Sequence, residues 1–334
     1  MSVRIAINGL GRMGRALFRA AWPRPTVEIV AVNDLGTAEQ LAGLLARDTL
    51  HGPFPGEVAS APGALLVDGR RVAVYNESDP AAVPWLGDEP EVVVDATGHC
   101  TERPLAESVL RPPVRKVVVS ANAEGMDQTI CMGVNHDSYD PDAHHLLSAA
   151  SCTTNCLVPV VSVLDRAFGF ERGMLNTVHS YNNDQRLLGY PHKDPRRARA
   201  AALNMIPTTT SAVIALGRVL PRLEGRIQGY AVRVPTPNVS LIDLVAELRD
   251  SPDAADVNRV FRQAAEDELA GILAVSEEPL VSSDFLGDSH SAIVDLPLTE
   301  SLDGRLHRVV AWYDNECGHA SRLADLAELV GGAL

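Results

Sequence analysis

Short, wholly apolar runs alternate with stretches of helical apolar period through the first half of this 334-residue chain. Val3 to Asn8 reads as a buried strand, Arg15 to Ala21 as a helix ended by Pro23 and Pro25, and Val27 to Val32 as a second strand. Leu41 to Ala46 looks helical, and Asp48 to Pro53 reads as a loop. Leu65 to Val67 and Val72 to Tyr75 flank Asp68-Gly69-Arg70-Arg71, a hairpin turn signal. Val92 to Asp95 and Val117 to Ser120 are apolar almost throughout, as parallel strands covered on both faces are.

The second half has a different rhythm. Leu157, Val160, Val161, Leu164 and Phe168 share one helix face, with Ser151 placed as the N-cap. Pro159 interrupts that helix chemically, since it has no N–H for the carbonyl of Asn155. Met174 to Tyr181 reads as a strand, and Asn182 to Ala202 is a long polar, basic stretch with no periodicity. Ile206 to Ser211 leads into a helix through Leu220. Tyr230 to Val234 and Ser240 to Leu248 alternate like sheet strands, separated by Pro235-Thr236-Pro237-Asn238. Ala255 to Leu269 is an amphipathic helix, Val309 to Tyr313 a strand and Ser321 to Val330 a closing helix. The expected fold class is α/β: a doubly wound parallel sheet, then a second α+β domain with a large, mostly antiparallel mixed sheet.

Composition narrows the partners. Hydrophobic residues make up 46% of the chain, enough for two cores. A net charge of −14 argues against non-specific nucleic-acid or anionic-membrane binding, both of which need a basic surface. No apolar stretch approaches the ~20 residues that span a bilayer. The start of the chain lacks a signal peptide's layout, and five cysteines lie at no framework spacing. The expectation is a cytoplasmic protein with free thiols.

Two motifs carry the chemistry. Gly9-Leu10-Gly11-Arg12-Met13-Gly14 follows a strand and opens a helix, and Asp34 ends the next strand twenty residues on. This is the Rossmann dinucleotide fingerprint: Gly9 for the turn, Gly11 for backbone approach to pyrophosphate, Gly14 for close packing of helix on strand. Asp34 can accept from ribose hydroxyls and would repel a 2′-phosphate, which favours NAD. Thr97, Gly98, Ser120 and Ala121 lie just beyond strand ends, where they would be cofactor neighbours or ordinary loop residues.

The other motif is Ser151-Cys152-Thr153-Thr154-Asn155-Cys156. A cysteine in the first turn of a helix meets free N–H groups and the positive dipole end, which stabilise a thiolate or hold an anion. A buried structural cysteine would read the same way from these six residues. His179, near a strand end, makes a nucleophile–base pair available. The basic stretch, with Arg186, His192, Lys193, Arg196, Arg197 and Arg199, suits an anionic ligand, an acidic neighbouring subunit, or a solvated face. Hydroxyls at Thr208 to Ser211 suit a helix cap or phosphate.

The chain resembles the glyceraldehyde-3-phosphate dehydrogenase family nearly end to end. The stretches that carry the resemblance are Asn8 to Arg15, Ala150 to Cys156, Arg233-Val234-Pro235-Thr236-Pro237-Asn238-Val239-Ser240 and Trp312-Tyr313-Asp314-Asn315-Glu316. The resemblance implies a Rossmann NAD-binding domain over residues 1–150, a catalytic domain over 151–316, and a C-terminal helix, 317–334, returning to the first domain. It implies a homotetramer in which the loop from Asn182 to Ala202 lines a neighbour's cofactor site. It makes Cys152 the nucleophile and His179 the base in NAD-dependent oxidation of glyceraldehyde 3-phosphate. A thiohemiacetal and a thioester form on Cys152, and inorganic phosphate resolves the thioester. Ser151, Thr153, Asn182, Arg197, Thr210, Ser211 and Arg233 fall at substrate-phosphate or attacking-phosphate positions. Gly9, Gly11, Arg12, Met13, Gly14, Asp34, Thr97, Ser120 and Asn315 fall at or beside cofactor positions. Erythrose-4-phosphate dehydrogenase, in which water resolves the thioester, is the close alternative. A non-catalytic scaffold keeping the fold is the remote one, disfavoured by the intact Cys152–His179 pair.

Several positions depart from the family's common pattern: Asn182, Ser211, Ile214, Ala149, Asn122, Cys317 and His319, with His99 and Cys100 on the adenine side. Loss of stacking at the last two would weaken the cofactor about tenfold. His144 and His145 with Cys152 and Cys156 offer metal donors, but the CxxxC spacing suits a helix turn and zinc would block the nucleophile. No metal is expected.

Overall fold

The computed structural model describes residues 2–334, and the chain divides into two compact units. The first runs to Ser151 and regains the chain at Ala320–Leu334; the second is Cys152–His319.

The first unit holds β1 (Val3–Asn8), α1 (Arg12–Ala21), β2 (Val27–Asn33), α2 (Ala38–Ala46), β3 (Arg47–Asp48), β4 (Gly52–Pro53), β5 (Val58–Ala61), β6 (Ala64–Val67), β7 (Arg70–Tyr75), β8 (Val92–Asp95), α3 (Arg103–Val109), β9 (Lys116–Val119), β10 (Gln128–Thr129) and β11 (Leu146–Ser148). Nine strands form one sheet in the order β10-β11-β9-β8-β1-β2-β7-β6-β5. All its pairings are parallel except the β5–β6–β7 meander at one edge. The period of two explains the two cores. Ile5, Ile7, Val92, Val94 and Val118 face one core, and Ala6, Val93, Val117 and Val119 the other. Asp68 and Gly69 both have positive φ, 48° and 75°, the backbone of the tight hairpin turn that the sequence predicts.

The second unit holds α4 (Cys152–Phe168), β12 (Phe170–Ser180), β13 (Ile206–Thr208), α5 (Ala212–Val219), β14 (Ile227–Val234), β15 (Ser240–Leu248), α6 (Ala254–Glu266), β16 (Leu273–Ser276), β17 (Ala292–Asp295), β18 (Glu300–Leu302), β19 (Leu306–Tyr313) and the start of α7 (Cys317–Gly332). Its sheet runs β13-β14-β12-β15-β19-β17-β16, with β18 on β19. Only β12–β14 and β16–β17 are parallel, so the sheet is mixed and mostly antiparallel. The helix α4 passes through Pro159 unbroken.

From Ala320 on, α7 belongs to the first unit and sets Leu323, Leu326 and Val330 into the core beside Val3 and Ile5. Burying each of the three is worth about 1.5–3 kcal/mol. Arg24 ties the same helix through Asp325 at 2.7 Å and Glu328 at 3.2 Å. These pairs are partly exposed and worth at most about 1 kcal/mol each, so the apolar stripe holds the helix.

Some boundaries differ from the pattern. The helix α1 begins at Arg12 rather than Arg15, because the last three residues of the glycine motif, Arg12, Met13 and Gly14, already form its first turn. The stretch Asp48 to Pro53 is not all loop, since β3 pairs with β4. The helix α7 begins at Cys317 rather than Ser321, because Asp314 Oδ1 accepts from the N–H groups of Glu316 and Cys317.

Candidate active site

The glycine loop of the first unit is shaped for a ligand's backbone approach. Gly9 has φ +93°, and a Cβ there would lie 2.9 Å from the Thr97 amide nitrogen. A Cβ on Gly14 would lie 1.9 Å from the Gly9 carbonyl oxygen, so only glycine lets α1 sit this close. Gly11 is different: a Cβ there meets nothing within 4 Å. No side chain caps α1 at Gly11, which leaves its N-terminal face turned to open space. Asp34 Oδ2 accepts from the Leu10 amide at 2.7 Å, and Oδ1 from the Gly36 amide at 3.1 Å. The carboxylate thus braces the loop while further lone pairs remain for ribose hydroxyls.

Behind the loop runs a buried polar chain. Asn33 Nδ2 donates to Asn8 Oδ1 and Asn8 Nδ2 to Asp95 Oδ2, each at 2.7 Å. Asp95 Oδ1 in turn accepts from the Thr97 hydroxyl at 2.9 Å. The Thr97 hydroxyl and amide are therefore both engaged by Asp95, and its methyl lies against Gly9. Met13 is partly buried against the core, and Ser120 stands half-buried past the end of β9. Cys100 is buried with Trp85 and Ala106, and burial together with Asp95 pushes its thiol up to about 12. His144 and His145 hold Lys116, whose Nζ lies 2.8 Å from the first's carbonyl and 3.3 Å from the second's Nδ1.

In the second unit, Cys152 heads α4 and keeps part of its surface exposed. Its Sγ lies 3.6 Å from His179 Nε2. The strand register assembles the rest. His179 is the parallel partner of Arg233, and Ser240 the antiparallel partner of Tyr313. His179 Nδ1 sits 2.7 Å from the Ser180 carbonyl and 2.8 Å from Arg233 Nη1, which also donates to that carbonyl at 2.9 Å. With Nδ1–H on the carbonyl, Nε2 faces the sulfur as an acceptor. With Nδ1 accepting from Arg233, Nε2–H is a donor to a thiolate. Thr153 Oγ1 lies 2.8 Å from the Tyr313 hydroxyl, which burial keeps protonated. Burial pushes the Cys152 thiol above its ordinary value, while Arg233 and the Thr153 amide and hydroxyl pull it down. Desolvation thus works against the help that the helix start and Arg233 give a thiolate at Cys152.

The expected phosphate residues are distributed as follows. Ser151 accepts from Asn122 Nδ2 at 3.2 Å in the first unit. Arg197 donates to the Thr208 hydroxyl at 2.7 Å, to Asp184 at 2.9 Å and to the Thr209 carbonyl at 3.3 Å. His192 reaches the same Asp184 at 3.1 Å, and the hydrogen bonds from His192 and Arg197, with the Arg197 charge, hold that carboxyl below its usual range despite its burial. The basic loop is thus partly neutralised from within. Thr210 Oγ1 accepts from the Ala212 amide at 3.2 Å, and exposed Ser211 heads α5. Half-buried Asn182 accepts from the Asp184 amide at 3.2 Å. Arg233, expected at phosphate, spends one Nη on the imidazole side of the Cys152–His179 pair. Tyr313 and Ser240 lie in stretches that carry the resemblance, but neither they nor Ser180 has a role that residue type or spacing assigns; strand register sets them in the site.

Fold and site define a two-domain dinucleotide-binding protein built around a thiol–imidazole pair. Residues 3–103 match the family described as "Glyceraldehyde 3-phosphate dehydrogenase, NAD binding domain", and residues 151–315 match its "C-terminal domain". The chain is 51% identical over 330 residues to the glyceraldehyde-3-phosphate dehydrogenase of Geobacillus stearothermophilus, covering 99% of this chain and 98% of the relative. It is 50% identical, with the same coverage, to glyceraldehyde-3-phosphate dehydrogenase 1 of Bacillus subtilis. It is 47% identical to the Streptomyces coelicolor enzyme over the full length of both. The chain belongs to the glyceraldehyde-3-phosphate dehydrogenase family, and its cofactor is NAD.

Proposed function

We propose that this protein oxidises the aldehyde of glyceraldehyde 3-phosphate with NAD and inorganic phosphate, giving 1,3-bisphosphoglycerate. The observation that carries the reading is Cys152 Sγ at 3.6 Å from His179 Nε2 at the head of α4. His179 takes the thiol proton and, as the sulfur attacks the aldehyde carbon, returns it to the carbonyl oxygen, giving a thiohemiacetal and a neutral imidazole. The Cys152 N–H, at the helix start, stabilises the oxygen as charge develops. His179 then removes the hydroxyl proton as the carbon is oxidised to a thioester. NAD would supply the hydride acceptor; Gly9, Gly11, Arg12, Met13, Gly14, Asp34, Thr97 and Ser120, and by family position Asn315, are the residues that would hold it. Inorganic phosphate attacks the thioester, and Cys152 leaves as thiolate. Ser151, Thr153, Asn182, Arg197, Thr210, Ser211 and Arg233 serve the two phosphate groups.

The test is steady-state NADH formation with three- and four-carbon aldehyde phosphates, with and without inorganic phosphate. Strict phosphate dependence with the three-carbon substrate is expected. Turnover that ignores phosphate and prefers the four-carbon aldehyde makes the protein the hydrolytic relative instead. No NADH from either makes it a non-catalytic member of the family.

The working form is a homotetramer in the cytoplasm, where five free thiols persist. Met174 and Tyr230, 62% and 49% exposed on the paired strands β12 and β14, and Leu203 and Met205, above 70%, leave apolar surface that a second copy would cover. Light scattering should give four times the 35.7 kDa chain; a monomer at micromolar concentration rejects this assembly.

A further inference from the structure

Asn315 follows β19 and keeps 6% of its surface exposed. Two hydroxyls converge on its carbonyl: Ser180 Oγ donates to Oδ1 at 2.8 Å, and Ser240 Oγ donates to the same atom at 3.1 Å. Both serines are buried, 0% and 2% exposed. The Ser180 amide donates to Ser240 Oγ at 3.1 Å, so that oxygen already accepts and its own proton is left for Asn315. Turning the carboxamide over would strand two buried hydroxyl protons without an acceptor. The backbone beside it is also fixed. Asp314 accepts from Asn238 Nδ2, from the Gly287 amide and from the amides of Glu316 and Cys317. Val239, just before Ser240, is held at φ +63°, a conformation that a β-branched residue adopts only when its surroundings enforce it. The chain thus accepts local strain where it delivers the Ser240 hydroxyl.

We propose that Ser180 and Ser240 are positioning residues that lock Asn315 with Oδ1 inward and its N–H donors outward, so that it recognises the carbonyl oxygen of the nicotinamide carboxamide. The inference rests on the reading of Asn315 as a cofactor contact. An outward face with donors only selects an acceptor, and of the carboxamide's two ends only the oxygen qualifies. Ser180 does this while its carbonyl takes the Arg233 guanidinium and faces His179 Nδ1. One residue therefore orients both the proton acceptor and the nicotinamide anchor.

Dinucleotide affinity, measured by titration calorimetry on the full-length protein, tests this without turnover. The probes are NAD and 3-acetylpyridine adenine dinucleotide, which keeps the carbonyl oxygen and replaces the amide nitrogen by methyl. Asn315→Ala should weaken NAD about tenfold. In Ser180→Ala/Ser240→Ala the released carboxamide can turn and accept from the amide of NAD, but finds no such donor on the analogue. The analogue should therefore weaken about tenfold and NAD no more than about threefold. Equal weakening of both, or of neither, overturns the positioning role. An Asn315→Ala variant that binds NAD like the parent instead overturns the reading of Asn315 as a cofactor contact. Ser240→Thr keeps a hydroxyl and should restore the parent's ratio. If the double variant does not fold, Ser240→Ala alone must show the same skewed ratio, and parental values for both dinucleotides reject the proposal.

Discussion

Burial raises the Cys152 thiol above its ordinary value, despite the Arg233 guanidinium and the Thr153 N–H. The thiolate must come from transfer to a neighbour, and His179 Nε2 at 3.6 Å is placed to receive the proton. Alkylation of Cys152 by iodoacetamide, followed against pH, should therefore respond to the imidazole. An imidazolium favours the thiolate, so removing it moves the alkylation midpoint upward. We expect His179→Asn to show that shift and to lose about 10²–10⁴ in kcat. A midpoint unmoved by the substitution would mean that burial and Arg233 alone set the thiol's state. Residue type and local spacing made Cys152 and His179 legible in the sequence. Tyr313, Ser180 and Ser240 were not, because a serine or tyrosine inside a strand carries no mark of which side chain the ladder sets beside it.

At the scale of the element, the turn from β1 into α1 separates two kinds of glycine that one motif presents as equals. Gly14 is needed by the fold, because its hydrogen faces the Gly9 carbonyl where a methyl would sit 1.9 Å away. Gly11 has extended backbone, φ −67° and ψ −159°, which alanine also adopts, and faces open space. Gly11→Ala should leave the melting temperature within about 1–2 °C of the parent's yet weaken NAD binding about tenfold or more. Gly14→Ala should lower both, with a melting decrease of several degrees from the forced separation of α1 and β1. Calorimetric melting and NAD titration on the two variants read this directly. A Gly11→Ala protein that binds NAD normally would show that the open space at the helix start is not where the pyrophosphate approaches. The element pattern of this unit was legible because each βα step is local: an apolar run, a glycine turn and an apolar face at helical period. The limits of α1 and α7 were missed for a reason of the same kind, since Gly14 and Gly318 interrupt the apolar period in their first turns, and Asp314 holds the start of α7.

Across the whole molecule, the order of strands in the second sheet is what periodicity could not supply. The strand β12 lies between β14 and β15 although residues 181–226 intervene before β14, and that placement pairs His179 with Arg233. Folding stability depends on the same long-range pairings, and His307 reports on them. It lies on β19, fully buried, with Ala246 of β15 and Ser301 of β18 as its ladder partners. Burial lowers its pKa below the ordinary 6.5, outweighing a backbone contact at Gly304 that favours the charged ring. Below about pH 6.5 the unfolded chain therefore binds a proton that the folded chain refuses. This contribution to stability is complete above that pH, falls as pH drops toward the depressed folded value, and levels off beneath it. In urea unfolding followed between pH 8 and pH 5, the parent should lose stability more steeply than His307→Gln, which has no ring to protonate. The variant should be the weaker at pH 8, where it sets an unmatched amide in place of a neutral imidazole, and the gap between the two should narrow as pH falls. A gap that stays constant across that range would show that His307 takes up its proton as readily in the folded sheet as in the open chain.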